Sequence, residues 1–256
     1  MKIAETHCHL DYLKDRPLAE TLRLCAEAGV EKLVTIGVDP DNLDGVMALA
    51  ESHSQIWCTQ GIHPHDAKAV TDEVLTKIQS RATHAKVVAI GEIGLDYYYN
   101  NSPKDVQLKY FRAQLEIAVA CDKPIVIHSR DADEDMMAFL KEFGPKLKKK
   151  GVVHSFSSGL ELAQTALDQG FFLGFNGMIT FPKAENVRDA VRLCPAERIL
   201  VETDSPFLTP VPHRGKENAP FYLPFVVQKI AELKSMSVED LGNQVWRNAH
   251  TLFGLI

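Results

Sequence analysis

Two histidines stand at alternate positions near the start of the chain, in the stretch KIAETHCHLDY at residues 2–12. Side chains alternate faces along an extended segment, so His7 and His9 point to one side and Cys8 to the other. Two imidazoles on one face can hold a metal ion, although a lone His-x-His serves equally often as a loop cap beside a surface residue. The remaining sequence discriminates between these interpretations.

Further histidines and carboxylates stand at the ends of later strand-like segments. They are His63 and His65 in GIHPH, Glu92 in AIGEIGLDYY, His128 in IVIHSRD, His154 in GVVHSFSSG and Asp204 in ILVETDSPFLTP. Each of them alone can bond a loop or cap a helix. Together they form a set of imidazole and carboxylate donors without thiolate, which favours Zn, Mn, Fe, Co or Ni over Mg.

The number of donors predicts two metal ions, because six ligands exceed what one tetrahedral ion requires. Glu92 is the expected bridge, since a carboxylate has two oxygens. Two ions about 3.5–4 Å apart polarise a phosphoryl or carbonyl oxygen and lower the pKa of a shared water, which becomes the nucleophile. Asp204 can bind a metal and accept the proton of that water. The predicted reaction is metal-assisted hydrolysis, with Glu202 and Asp96 orienting ligand histidines.

The elements that must position these residues alternate between strand and helix. Short β-branched segments open the chain and recur at residues 32–38, 56–62, 86–93, 124–128, 152–154, 171–175 and 198–202. Helical patterns lie between them, such as the apolar stripe of Val106, Tyr110, Ala113, Ile117 and Ala120. Eight such units predict a (β/α)8 TIM barrel in one domain, residues 1–256, with extra helices in the tail 237–256. A doubly wound open sheet is the alternative, because sequence does not reveal strand order.

The barrel prediction brings the donors together, since the active site of this fold lies at the C-terminal ends of the strands. Every donor named above stands at the end of a predicted strand or in the loop that follows it. We therefore expect one metal-binding cluster at one end of the barrel.

Composition limits the partners and the compartment. The net charge of -6 excludes a broad basic surface for duplex DNA, so contacts with nucleic acid must be local. The five cysteines form no C-x-x-C motif, which argues against a disulfide framework and favours reduced thiols. No segment approaches the roughly 18 apolar residues of a membrane span. We expect a cytoplasmic monomer that does not bind membranes.

The motifs THCHLD, GIHPH, IGEIGLDYY, IHSRDA, HSFSSG and ETDSPFLTPVPHRGK resemble, in order, those of TatD-family metal-dependent deoxyribonucleases. The resemblance spans residues 6–216. It implies an amidohydrolase-type barrel that cleaves phosphodiester bonds of DNA, typically as a 3′-to-5′ exonuclease with two divalent ions (Zn, Mn, Co, Ni or Mg). It assigns the metal ligands as His7, His9, Glu92, His128, His154 and Asp204. It also implies that His63 and Arg130 hold the substrate phosphate.

Three positions depart from the family pattern, namely Glu5 before the histidine pair, the end of HSFSSG, and Glu217 with Ala219 in GKENAP. None of them is an assigned metal ligand. In the loop after the eighth strand, His213, Arg214 and Lys216 form a basic cluster, and we expect His213 and Arg214 to bind substrate phosphate. The alternative is that these residues belong to an exposed, proline-rich polar loop without a binding role.

Three further residues have two interpretations each. Arg130 can bind phosphate or pair with Asp131 or Asp133. Tyr97 and Tyr98 can stack on a base, but packing of the barrel rim is equally expected.

Other functions are compatible with the same donors. One is hydrolysis of another ester, such as that of D-aminoacyl-tRNA. A dihydroorotase-like amide hydrolase is disfavoured, because Glu92 stands where a carboxylated lysine would end the fourth strand. A non-catalytic nucleic-acid binding protein is the third alternative, which the full ligand set disfavours.

Overall fold

The computed structural model describes residues 1–255, so Ile256, the last residue of the predicted domain, lies outside the described residues. Its parallel strands are β1 (Ile3–Cys8), β2 (Val30–Thr35), β3 (Ile56–Gln60), β4 (Val87–Asp96), β5 (Ile125–Arg130), β6 (Gly151–Val153), β7 (Phe172–Phe175) and β8 (Ile199–Val201). All eight belong to one sheet in the order β1 to β8. The Thr6 hydroxyl of β1 donates to the Val201 carbonyl of β8 at 2.9 Å, which links the two end strands. The predicted (β/α)8 barrel is confirmed.

Nine helices accompany the strands within residues 1–255. They are α1 (Leu18–Glu27), α2 (Leu43–Ser52), α3 (Asp72–Arg81), α4 (Lys104–Ala120), α5 (Asp133–Phe143), α6 (Leu160–Asp168), α7 (Glu185–Leu193), α8 (Leu223–Lys234) and α9 (Val238–Phe253). The first eight each follow a strand, so α9 is the additional C-terminal helix. None of these nine helices combines the length and apolar character needed to cross a membrane.

Alternation along the strands produces two separate apolar clusters. In β2, Leu33 belongs to the large cluster between strands and helices, whereas Val34 belongs to the smaller cluster inside the barrel. Ala249, Leu252 and Phe253 of α9 join the inner cluster. Helix α9 therefore closes the bottom of the barrel, which leaves the C-terminal strand ends as the open face.

The helix predicted from the spacing of Val106, Tyr110, Ala113, Ile117 and Ala120 is confirmed as α4, but of these five residues only Ile117 is buried. The buried face carries Gln107, Phe111, Gln114, Leu115, Ile117 and Ala118. The two glutamines hydrogen-bond the backbone of neighbouring strand ends and loops, so polar residues occupy the core face of this helix. Apolar periodicity cannot detect that arrangement.

Candidate metal centre

A cavity of about 520 Å³ opens at the C-terminal ends of the strands, a size typical of small-ligand sites. Its lining includes the predicted site residues His9, His63, Glu92, His128, Arg130, His154 and Asp204. His7 lies just beneath it, fully buried, with Nε2 at 3.3 Å from Oε2 of Glu92. Eight of the ten predicted site residues therefore meet at one place.

The first cluster joins the beginning of the chain to the end of β8. Nε2 of His9 lies 3.5 Å and Nε2 of His7 lies 3.7 Å from Oδ1 of Asp204. The Asp204 amide donates to the His7 carbonyl at 2.9 Å, which fixes the two segments against each other. These three side chains have the spacing of a metal site.

The second cluster consists of His63, Glu92 and His128, also at metal-ligand spacing. Oε1 of Glu92 lies 3.1 Å from Nδ1 of His128 and 3.4 Å from Nε2 of His63. The same oxygen lies 2.7 Å from Nε2 of His154. The two oxygens of Glu92 thus face different histidines, Oε2 towards the first cluster and Oε1 towards the second.

Irregularities in β1 and β4 aim His7 and Glu92 at the cavity. In β4 the partners of Ile90 and Ile93 are Ile125 and Ile127, so β4 has one residue more than β5 across this stretch. Such a β-bulge redirects a side chain. Ile90 and Ile93 both remain in the outer cluster, while Glu92 faces the cavity. A similar register shift lies between Glu5 and Cys8 and contains His7.

His63 faces the cavity with a hydrogen-bond donor. Its Nδ1 accepts the His65 amide at 3.1 Å, so the neutral ring carries its proton on Nε2. Burial and the nearby His128 hold the pKa of His63 well below its usual value, which keeps the ring neutral. This arrangement suits the predicted contact with substrate phosphate better than it suits metal ligation, although the spacing allows both.

Two buried carboxylates contact ring nitrogens of three histidines. Asp96 Oδ2 lies 3.0 Å from Nε2 of His128 and 3.0 Å from Nε2 of His65. Oε1 of Glu202 lies 3.4 Å from Nδ1 of His154 and accepts the Ser155 amide at 2.5 Å. Partners of this kind orient metal-ligating imidazoles, as predicted for both residues.

The central carboxylates are held in their ionised form. Burial raises the pKa of Glu92, but its interactions with His154, His63 and His7 outweigh that effect and hold the pKa well below its usual value. Burial also opposes ionisation of Asp204, and contacts with His9 and His7 lower its pKa nevertheless. Both residues can therefore act as anionic ligands or proton acceptors.

The donor set fits divalent ions. Five buried ring nitrogens here, both of His7, both of His154 and Nδ1 of His9, form no hydrogen bond of normal geometry, although carboxylate oxygens lie close to three of them. Burying a polar atom without a partner is costly, and a bound ion removes that cost. The Cys8 thiol is not positioned to bind such an ion, because its Sγ lies on the other side of β1 and donates to the Val34 carbonyl at 3.5 Å.

Glu5 has a structural role that sequence reasoning missed. Its Oε1 accepts the amides of His7 and Thr203, each at 3.0 Å, and so holds the ends of β1 and β8 together. Complete burial raises the pKa of this carboxyl to about 8. The only signal in the sequence was the proximity of Glu5 to the histidine pair.

Two glutamines of α4 were also missed. Gln107 accepts the Asp96 amide at 2.8 Å and donates to the Asp96 carbonyl at 2.9 Å. Gln114 makes the same paired contact with Ile62, at 2.7 Å and 3.2 Å. The helix thereby holds the segments that carry His63 and Asp96, and nothing in the sequence marks these glutamines as different from exposed ones.

His213 and Arg214, the two residues after β8 that are predicted to contact substrate, do not lie at the cavity. The His213 ring stacks on Tyr222, with centroids 4.4 Å apart. The Arg214 guanidinium lies over Phe181, 4.1 Å from the ring centroid. Neither residue lines the cavity, so their role in phosphate binding is a prediction that this geometry does not support. The long loop folds back on α8 instead.

Arg130 lies at the rim. Within residues 1–255 it pairs with neither Asp131 nor Asp133, and its guanidinium lies 4.2 Å from the ring centroid of Tyr98. Of its two interpretations, pairing with one of these aspartates is therefore not the one observed, and its charge is free to meet an anion.

Several known proteins are similar to this chain in sequence and in fold. A family model described as TatD related DNase matches residues 4–254. An uncharacterized metal-dependent hydrolase of Bacillus subtilis, YabD, is 40% identical over 97% of this chain and 98% of its own length. A protein of Erwinia amylovora named 3'-5' ssDNA/RNA exonuclease TatD is 34% identical over 95% of each chain. The crystal structure of YjjV, a TatD homologue from Escherichia coli, superposes with a TM-score of 0.92 at 31% identity over 98% of both chains.

Proposed function

This chain belongs to the family of TatD related DNases, and on that premise we propose that it cleaves phosphodiester bonds of DNA from the 3′ end. Membership of the family makes it a metal-dependent hydrolase. The choice of bond and direction is our proposal, which the name of the Erwinia relative supports.

One observation carries the proposal, namely that the two oxygens of Glu92 face two separate groups of donors. Oε2 lies 3.3 Å from His7, whereas Oε1 lies 3.1 Å from His128 and 2.7 Å from His154. With donors on both sides of Glu92, these residues would hold two divalent ions. We assign the ligands as His7, His9, Glu92, His128, His154 and Asp204. Two divalent ions supply Lewis-acid activation of water and of a phosphoryl oxygen.

The chain's own side chains perform the remaining tasks. Ionised Asp204, whose side chain is 14% exposed at the cavity wall, accepts the proton from the attacking water on a carboxylate oxygen. The Nε2–H of His63 and the free guanidinium of Arg130 donate to phosphate oxygens. Asp96 and Glu202 keep His128 and His154 in their orientations. Single-stranded or frayed DNA is the expected partner, because the net charge of -6 provides no broad surface for a duplex.

The test uses purified protein with a 5′-labelled oligonucleotide and, in turn, Mn²⁺, Mg²⁺, Zn²⁺ and Co²⁺. We expect a ladder shortened stepwise from the 3′ end, abolished by chelation and by Asp204→Asn. The proposal fails if no nucleotide is released with any ion, or if Asp204→Asn gives the same trace as wild type.

A parallel assay with a D-aminoacyl-tRNA tests the alternative function, which is hydrolysis of the aminoacyl ester. Turnover of that ester without release of nucleotides from DNA would assign the metal centre to deacylation. Tight binding of DNA that survives chelation, with no turnover, would instead indicate a binding protein.

A further inference from the structure

An exposed aromatic pair stands at the rim of the metal cavity and has no part in the chemistry described so far. Tyr98 is 57% exposed and Tyr99 is 55% exposed, although they directly follow a fully buried strand. Their rings meet edge to face, with centroids 4.8 Å apart. Large aromatic rings exposed side by side beside a cavity are typical of a binding surface.

The preceding tyrosine differs from this pair. The Tyr97 hydroxyl donates to Asp135 at 2.7 Å, and the Lys104 ammonium lies 4.4 Å from the centre of its ring. Tyr97 therefore packs the rim, which resolves its two interpretations. Of the two interpretations for Tyr97, rim packing is therefore the one that the structure supports, whereas Tyr98 and Tyr99 are each more than half exposed.

Both exposed rings share one cation. The Arg130 guanidinium lies 4.2 Å from the centre of Tyr98 and 5.1 Å from that of Tyr99. Within the described part of the chain, residues 1–255, this guanidinium forms no salt bridge. A flat apolar surface next to an unpaired cation matches a nucleotide, which combines a flat base with an anionic phosphate.

The pair is connected to the metal centre through a short chain of contacts. The Tyr99 amide donates to Asp96 Oδ1 at 2.8 Å, and Asp96 Oδ2 contacts His128 at 3.0 Å. The Tyr99 ring also meets the His65 ring edge to face at 5.4 Å. These contacts hold the rings in a fixed position relative to the donors around Glu92.

We propose that Tyr98 and Tyr99 form a platform on which the base of a nucleotide next to the scissile phosphate stacks. This inference rests on the proposed nuclease function and specifies its substrate. A base in the interior of a duplex is already stacked on both faces, so it offers no surface to the platform. An unpaired base near the 3′ end does, and we therefore expect the platform to favour frayed or single-stranded ends.

The experiment compares four oligonucleotides of the same length and sequence. One carries normal bases throughout, and the other three each carry a single abasic tetrahydrofuran residue, at the terminal, second or third position from the 3′ end. We expect Tyr98→Ala combined with Tyr99→Ala to lower kcat/KM for the normal strand by about 10-fold or more. With the abasic residue at the platform position, the same double variant should change kcat/KM less than about 2-fold.

Two further measurements separate stacking from folding. The Tyr98→Phe and Tyr99→Phe double variant keeps both rings and should retain wild-type kcat/KM. An oligonucleotide containing 2-aminopurine, bound to Asp204→Asn protein, should lose fluorescence through stacking, and the tyrosine-to-alanine changes should restore that fluorescence.

The inference is overturned if the alanine double variant cleaves the normal strand like wild type, or loses equal activity on every abasic strand. It is also overturned if only Phe207→Ala, and not the tyrosine double variant, lowers kcat/KM for the normal strand. Phe207 is the exposed ring beside His9, and it would then be the stacking surface. Absence of cleavage by the wild type with every ion would instead refute the nuclease function itself.

Discussion

Oε1 of Glu92 lies 2.7 Å from Nε2 of His154, while its other oxygen faces His7 at 3.3 Å. His7 and His154 in turn stack with ring centroids 3.8 Å apart. One carboxylate on β4 thus contacts a histidine within β1 and a histidine directly after β6. The three side chains are buried together, so a change at Glu92 affects both histidines.

Glu92→Gln should remove the metal from both clusters. The amide keeps the volume but loses the negative charge and one of the two acceptor oxygens. We expect the metal content to fall from two ions per chain to less than one, with kcat lowered by at least about 100-fold. Elemental analysis of the purified protein measures the first effect. Glu116→Gln, an exposed change on α4, is the control, and two ions retained by Glu92→Gln would contradict the bridge.

Glu202→Gln should weaken metal binding without removing a ligand. Its carboxylate lies behind His154 at 3.4 Å, and loss of such a partner costs about 10- to 100-fold in metal affinity or activity. Titration with a competing chelator measures the affinity, and Glu161→Gln on the exposed face of α6 is the matched control. Equal affinities for the Glu202 variant and wild type would refute the orienting role.

Gln107→Ala and Gln114→Ala should each lower the free energy of unfolding by about 1–3 kcal/mol, because each change leaves buried backbone groups unpaired. Urea denaturation followed by circular dichroism measures this loss. Gln164→Ala serves as the control, since Gln164 is exposed and donates to Asp168 on the surface, and its change should stay within about 0.5 kcal/mol. A similar small effect for the α4 glutamines would show that they do not hold the loops.

Only Cys121 should react rapidly with iodoacetamide at pH 8 in the folded protein. Cys8, Cys25, Cys58 and Cys194 are buried, whereas Cys121 is half-exposed. Burial raises the thiol pKa of Cys25, Cys58 and Cys194 from 9.0 to about 12. The thiolate is the reactive form, and raising the thiol pKa from 9.0 to about 12 lowers the thiolate population at pH 8 by about 1000-fold.

Mass spectrometry counts the labelled thiols over time. One fast site is expected in buffer and five in denaturant, and a second fast site in buffer would contradict the burial of the other four.

The sequence by itself determined the barrel and the position of most of its donors. Apolar β-branched segments alternating with amphipathic ones specify strands and helices, because each element must bury one face. Once the strands are parallel and closed, residues such as His128 and Asp204 at their C-terminal ends meet at one face regardless of how far apart they lie in the chain.

Only the tertiary structure decided which side chains point where within that face. Strict alternation cannot place the Glu92 side chain in the cavity while Ile90 and Ile93 both face outward. The register shift that turns Glu92 inward depends on how β4 pairs with β5. Spacing did not reveal that Gln107 and Gln114 are buried, since their hydrogen bonds are to the end of β4 and to the segment after β3, whose positions against α4 are set by the fold. Nor did the proximity of His213 to Asp204 along the chain bring it to the cavity. The path of a long loop is set by what it packs against, here Tyr222, and such packing between distant segments is visible only once the chain has folded.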